Sequence, residues 1–146
     1  TWFNMGLETT RAHLVRAVLE GVALNTRWMM ESAEKFVKKQ RPNGFEHINF
    51  VGGGARSPLW CQILADVLDR PIRQVKDPVL ANVRGAGFSA AVALGHIEWQ
   101  DITARIQIEQ TFRPDPANRA VYDALFESFV RLYDKNKGTF AKLNKH

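Results

Sequence analysis

From residue 9 to residue 40 the apolar positions fall at helical spacing. Leu14, Val15, Val18, Leu19, Val22 and Ala23 come first, then Met29, Met30, Ala33, Phe36 and Val37. The pattern predicts one long helix, capped by Thr9 or Thr10. Lys38, Lys39 and Arg41 close it before Pro42-Asn43-Gly44 breaks it. A helix of that length is expected to lie across a sheet. His47 to Val51 then alternates and turns wholly apolar, as a buried strand does. Three glycines follow, Gly52, Gly53 and Gly54. Ser57 suits an N-cap, and Pro58 suits the first helical position, where its missing N–H costs nothing. Leu59, Trp60, Ile63, Leu64, Val67 and Leu68 give this second helix a broad apolar face. Asp69-Arg70-Pro71 ends it.

Pro71 to Lys76 predicts a short strand. Asn82 to Gly95 predicts a third helix, with Gly95 as its C-cap. Its small residues, Gly85, Ala86, Ser89, Ala90 and Ala93, permit close approach to another helix or sheet. His96 to Pro116 reads as mostly connection, with an extended piece near Ile106 to Ile108. Pro116 opens a last helix, Ala117 to about Leu143. Its stripe is Val121, Leu125, Phe126, Phe129, Val130, Leu132 and Tyr133. The order helix, strand, helix, strand, helix, helix is α/β in character.

Composition narrows the class. The chain has 146 residues, 45% hydrophobic and 24% charged, which fits one globular domain. The first ten residues read like the middle of a protein, so the chain is expected to be a fragment. The formal charge of +5 is concentrated from Arg131 onward, where Arg131, Lys135, Lys137, Lys142 and Lys145 face only Asp134. That tail has no cluster of arginines, so it is read as a solvated helix end and not as a nucleic-acid surface. The one cysteine, Cys61, excludes an internal disulfide and fits a reducing cytoplasm. It is expected to be a small core residue. No apolar run reaches membrane-span length. His13, His47, His96 and His146 show no metal spacing, and Asp66 and Asp69 are expected to be solvated. Trp60 is read as a core residue. Gly21, inside the first helix, is expected to mark close packing against the glycine turn.

The glycine turn carries the candidate chemistry. A strand running into glycines and then a capped helix lets the backbone approach a phosphate and present N–H groups to it. Arg56 adds charge or a stacking plane, and Pro58 and Leu59 offer a wall for a base. A Walker A loop is absent, and the third glycine of a dinucleotide-binding fingerprint is missing. A tight, ligand-free connection between strand and helix explains the same residues equally well.

Phe50 to Ala55, Phe-Val-Gly-Gly-Gly-Ala, resembles the adenosine motif of the actin-like ATPase superfamily. Arg16 to Ala23, Val51 to Ile72, Arg84 to Gly95 and Phe112 to Tyr133 together resemble, in order, the C-terminal lobe of FGGY-family carbohydrate kinases, most of all their xylulose kinase branch. The resemblance implies part of an actin-like ATPase (ribonuclease H-like) domain, a short sheet with long helices packed on it. Residues 1–146 would be the C-terminal portion of that lobe, with 117–146 its C-terminal helix. It implies ATP-dependent phosphorylation of a sugar hydroxyl, xylulose foremost, or of another pentose or a polyol. A non-catalytic nucleotide-binding or oligomerisation module is the alternative.

Gly52, Gly53, Gly54 and Ala55 would lie near the nucleotide, with Arg56, Ser57, Pro58 and Leu59 near its base. Some relatives place Asn against adenine where this chain has Ser57-Pro58, and Leu80 to Gly87 also departs from the family pattern. The catalytic Asp, the sugar contacts and the Mg2+ ligands would precede this region, so no catalytic or metal residue is assigned here. The fragment is expected to be inactive alone. ATP or ADP and a sugar are the implied partners, with a homodimer possible through the first and third helices.

Overall fold

The computed structural model describes residues 2–144; Thr1, Lys145 and His146, and with them the last basic residue of the tail, lie outside it. The first helix, α1, runs Arg11–Val37. Thr10 caps it: its hydroxyl accepts from the His13 N–H at 3.3 Å, and its own N–H donates to His13 Nδ1 at 3.3 Å. His13 thus fills the place that Glu or Gln takes in a capping box. The helix stops at Val37, with Lys38 to Gln40 in a turn.

Strand β1 (Ile48–Phe50) feeds the glycine turn, whose Gly53–Arg56 forms one 3-10 turn. Helix α2 (Pro58–Leu68) follows, then β2 (Ile72–Val75). β1 and β2 are parallel, with Ile48 opposite Ile72 and Phe50 opposite Gln74. Parallel neighbours need a crossover, and α2 supplies it. A 3-10 turn, Pro78–Leu80, leads into α3 (Ala81–Ala93), and Gly95 closes that helix in the left-handed conformation at φ 74°. The stretch read as connection contains a short helix, α4 (Asp101–Arg105). The extended piece begins later than expected: β3 is Ile108–Phe112, antiparallel to β2 on its far side. A register shift at Gln74/Val75 moves the pairing, which the apolar alternation around Ile106 to Ile108 did not reveal. A 3-10 turn at Pro116–Asn118 precedes the last helix, α5 (Arg119–Leu143).

The core forms around α2. Cys61 and every residue from Ile63 to Leu68 are buried, so this helix is apolar on most sides and not on one face alone. The sheet covers one side of it, and α1 and α5 cover the other, with Ala23, Leu24, Tyr122 and Phe126 entering the cluster. The chief neighbour of α1 is therefore α2, not the sheet. Much of the apolar stripe on α1 faces outward: Val15, Val18, Val22, Met29 and Phe36 are exposed. Helix α3 has no buried residue, so its small-residue side is uncovered here.

Asp66 is not solvated. It is 5% exposed, in the middle of the buried run. Its Oδ1 accepts from Gln62 Nε2 at 2.7 Å and from the Asp115 N–H at 2.9 Å, and its Oδ2 accepts from Asn118 Nδ2 at 2.9 Å. A buried carboxylate needs such partners, and these pin the start of α5 to α2. Asp69, in the left-handed conformation at φ 52°, pairs with Arg119 at 3.1 Å.

Candidate functional site

The three glycines of the turn differ: two have a structural reason and one has none. Gly52 sits at φ 86°, ψ −175°, a region that essentially only glycine occupies. Its N–H donates to the Pro78 carbonyl at 2.8 Å, which ties the loop after β1 to the loop after β2. Gly54 makes room for a side chain: a Cβ built there runs into Cζ3 and Cε3 of Trp60, whose ring packs edge-on to Phe50. Gly53 has neither reason. It is exposed, its φ is not positive, and a Cβ there meets nothing within 4 Å.

Gly53 and Gly54 open the 3-10 turn, so their N–H groups have no earlier carbonyl in that turn to bond. The turn lies where two parallel strands end, the edge at which α/β sheets take their ligands. Next to it, Arg84 of α3 donates from Nη2 to the carbonyls of Lys76 at 2.6 Å and Asp77 at 3.1 Å, which closes the neighbouring loop.

Ala55 is fully buried beneath the turn. Its carbonyl accepts from Gln74 Nε2 at 2.5 Å and from Cys61 Sγ at 3.6 Å. Burial pushes the Cys61 thiol up from its ordinary value, so it acts as a packed core group and not as a nucleophile. Ser57 is the predicted N-cap: its hydroxyl accepts from the Trp60 N–H at 3.3 Å, and Pro58 takes the first helical position. Arg56, Pro58 and Leu59 are exposed at the start of α2. Leu59 borders a shallow recess with Arg11, Val15, Arg16 and Leu19 of α1.

The structure therefore brings residues 52–59 together as one continuous edge. It also adds Gln74, which the sequence reading did not single out. Its signal was a polar residue two positions after Ile72, on the same face of the strand as that buried side chain.

One expectation does not hold. Gly21 is not packed on the glycine turn; a Cβ there meets nothing within 4 Å, and Gly21 lines an apolar trough between α1 and α5. That trough has a volume of about 1090 Å3, and none of residues 52–59 lines it. The glycine edge is an open wall and not an enclosed pocket. Among the described residues no three His, Cys, Asp or Glu side chains converge as a metal site, and no helix is long and apolar enough to cross a membrane.

A parallel strand pair joined by a buried crossover helix, with a glycine turn at its carboxyl edge, defines an α/β fold with a candidate anion-binding edge. The comparisons sharpen that class. Residues 1–94 match the family described as the FGGY family of carbohydrate kinases, C-terminal domain, and the chain belongs to that family. It is 29% identical over 138 residues to a xylulose kinase of Staphylococcus epidermidis, covering 92% of this chain and 26% of the relative. It is 35% identical over 133 residues to a ribulokinase of Mycolicibacterium smegmatis, covering 88% and 22%. The crystal structure of xylulose kinase from Rhodospirillum rubrum superposes with a TM-score of 0.73 at 33% identity, over 97% of this chain and 28% of that one. The fold is thus a part of the actin-like ATPase fold of these kinases. The chain spans about a quarter of the length of the relatives it matches.

Proposed function

We propose that residues 1–146 form the C-terminal portion of the C-terminal lobe of a carbohydrate kinase, with the last helix, Arg119–Leu143, within its final segment 117–146. Its glycine edge is the adenosine-side wall of the ATP cleft. One observation carries the site reading. Gly53 is the turn glycine for which the fold supplies no reason, and it stands in open space between the tethered Gly52 and Ala55. A ligand that approaches the backbone there explains it.

Gly53 and Gly54 would present backbone N–H groups to phosphate or ribose, with Gly52 and Ala55 shaping the turn behind them, and the start of α2 adds its partial positive charge. Arg56, Ser57, Pro58 and Leu59 would border the base. In the whole kinase ATP would supply the phosphoryl group for the sugar hydroxyl, and a divalent metal, Mg2+, held by residues outside this region would neutralise the phosphates. The described residues fit a nucleotide edge but not the metal, and they offer no group placed to deprotonate a sugar. The chain alone is expected to be inactive, with chemistry supplied by the remainder of a longer cytoplasmic protein.

The reaction we favour is D-xylulose plus ATP giving D-xylulose 5-phosphate plus ADP, supported by the likeness to two xylulose kinases. The higher identity to a ribulokinase supports another pentose as the second reading. Coupled ADP-release assays of the full-length protein on xylulose, ribulose and glycerol decide between them. For the site, Gly53→Val in that protein is expected to raise the KM for ATP at least about tenfold while the melting temperature stays put. An unchanged KM removes the glycine turn from the nucleotide site.

A further inference from the structure

Gln74 faces the core side of β2 at the point where the strand ends, an unusual place for an amide. Ile72, two residues earlier on the same face, is 1% exposed. A polar group there needs a partner, and the partner is the carbonyl of Ala55, 19 residues earlier in the chain. That carbonyl belongs to a fully buried residue just ahead of α2, and its other contact is the weak Cys61 thiol donor at 3.6 Å.

The glycine turn is consequently held at two points. At its start, the Gly52 N–H donates to the Pro78 carbonyl; at its end, Gln74 Nε2 donates to Ala55. Both tethers come from residues 74–78, in β2 and the loop after it. Only Gly53 and Gly54 lie between them, and these are the residues whose N–H groups have no earlier carbonyl in the turn to bond.

We infer that Gln74 is a positioning residue for the nucleotide edge. It acts through the Ala55 carbonyl to set where the Gly53 and Gly54 N–H groups stand, and it does not itself touch the nucleotide. This rests on the assignment of the turn to the ATP site. The turn holds the nucleotide equally before and during transfer, so loosening it removes uniform binding: KM for ATP rises and kcat does not change. A residue that merely supported the sheet would lower stability without that split.

The test uses the full-length protein. Gln74→Met keeps the length and removes the donor; Gln74→Asn keeps the amide and falls one methylene short. Gln110→Met, at the exposed position paired with Gln74 on β3, controls for a general loss of sheet stability. The expected result is a rise of about tenfold in KM for ATP in whichever of the two Gln74 variants folds, with kcat within about twofold and an unchanged KM in the control. If Gly53→Val raises KM and both Gln74 variants leave it at the control's value, the inference about Gln74 is overturned while the site stands. If Gly53→Val also leaves KM unchanged, the site reading fails and the role of Gln74 fails with it.

Discussion

One methyl group added at each of the three turn glycines should have three different outcomes. At Gly52 the backbone lies at φ 86°, ψ −175°. An alanine held there costs about 1–3 kcal/mol, because the alternative is to swing the turn and break the 2.8 Å bond to Pro78. At Gly54 the new Cβ meets the six-membered ring of Trp60. That ring has little freedom, since Phe50 stands against it at 5.8 Å between centroids and the indole N–H is already buried without a partner. Overpacking of this kind costs about 1–3 kcal/mol. At Gly53 the methyl meets nothing within 4 Å and the φ suits an L-residue. There the loss of freedom in the unfolded chain dominates, and alanine stabilises by about 0.4–1 kcal/mol. For a domain near this size 1 kcal/mol moves the melting temperature by about 2–4 °C. Gly52→Ala and Gly54→Ala are thus expected to melt about 2–12 °C lower, and Gly53→Ala about 1–4 °C higher. Thermal unfolding followed by circular dichroism measures all three. Equal losses at the three positions, or the largest loss at Gly53, would refute the assignment of reasons. Gly53→Ala should also weaken ATP while raising stability, the split expected where a residue is kept for function against the interest of the fold.

Asp66→Asn keeps the shape but turns one acceptor into a donor among Gln62, Asp115 and Asn118, and is expected to cost about 1–3 kcal/mol in denaturant unfolding; an unchanged midpoint would show that the α2–α5 junction does not depend on it. Asp123 has its carboxyl held below the usual range. Burial, the largest single influence, pushes it up, but the hydrogen bonds and charges of Arg27 and Arg119 together outweigh it. Its stabilisation is therefore present above the unfolded-chain value near 3.8 and lost as pH falls through the lower folded value. Asp123→Asn is expected to flatten the acid end of a stability–pH profile, and an identical acid limb counts against it. Tyr122, whose hydroxyl donates to Glu20 at 3.0 Å and accepts from Arg16 at 3.0 Å, is raised by burial first and by Glu20 second. Its contribution is complete below about 10 and is lost as pH rises through the higher folded value. Tyr122→Phe is expected to cost about 1 kcal/mol at neutral pH and to remove part of the alkaline loss; an alkaline limb unchanged from the parent would contradict this.

The features legible in the sequence are those set by neighbours in the chain. Thr10 and Ser57 cap the helices that follow them, Pro58 opens α2, and Gly95 ends α3 as its composition requires. Each is a contact across a few residues. What stayed hidden spans long separations. Asp66 reads as solvated because one helix turn of sequence shows it beside Asp69. Its partners at Asp115 and Asn118 lie 49 and 52 residues away. The register of β3 depends on an irregularity in its partner strand. Helix α4, five residues long, is too short to show a period.

The glycine turn shows how the two kinds of information combine. Three consecutive glycines in sequence pose a single question, and both answers to it, a ligand or a tight connection, fit the local pattern. Resolving the turn atom by atom divides the question. Gly52 answers to backbone conformation, and Gly54 answers to Trp60, a residue predicted to be core and found packed over the turn. The tight-connection reading thus accounts for two of the three positions and leaves Gly53 over. The tethers at Pro78 and Gln74 are also more than a connection of this length needs, since the N-cap at Ser57 and the proline beside it already start the helix. An edge that is open in front, tethered behind and made of glycine where nothing crowds it has the properties of a surface shaped for an approaching ligand. Its exposure then has a simple physical reading. On the function proposed above, a chain about a quarter as long as its relatives would carry one side of the ATP cleft, and a nucleotide held by one side alone would bind weakly.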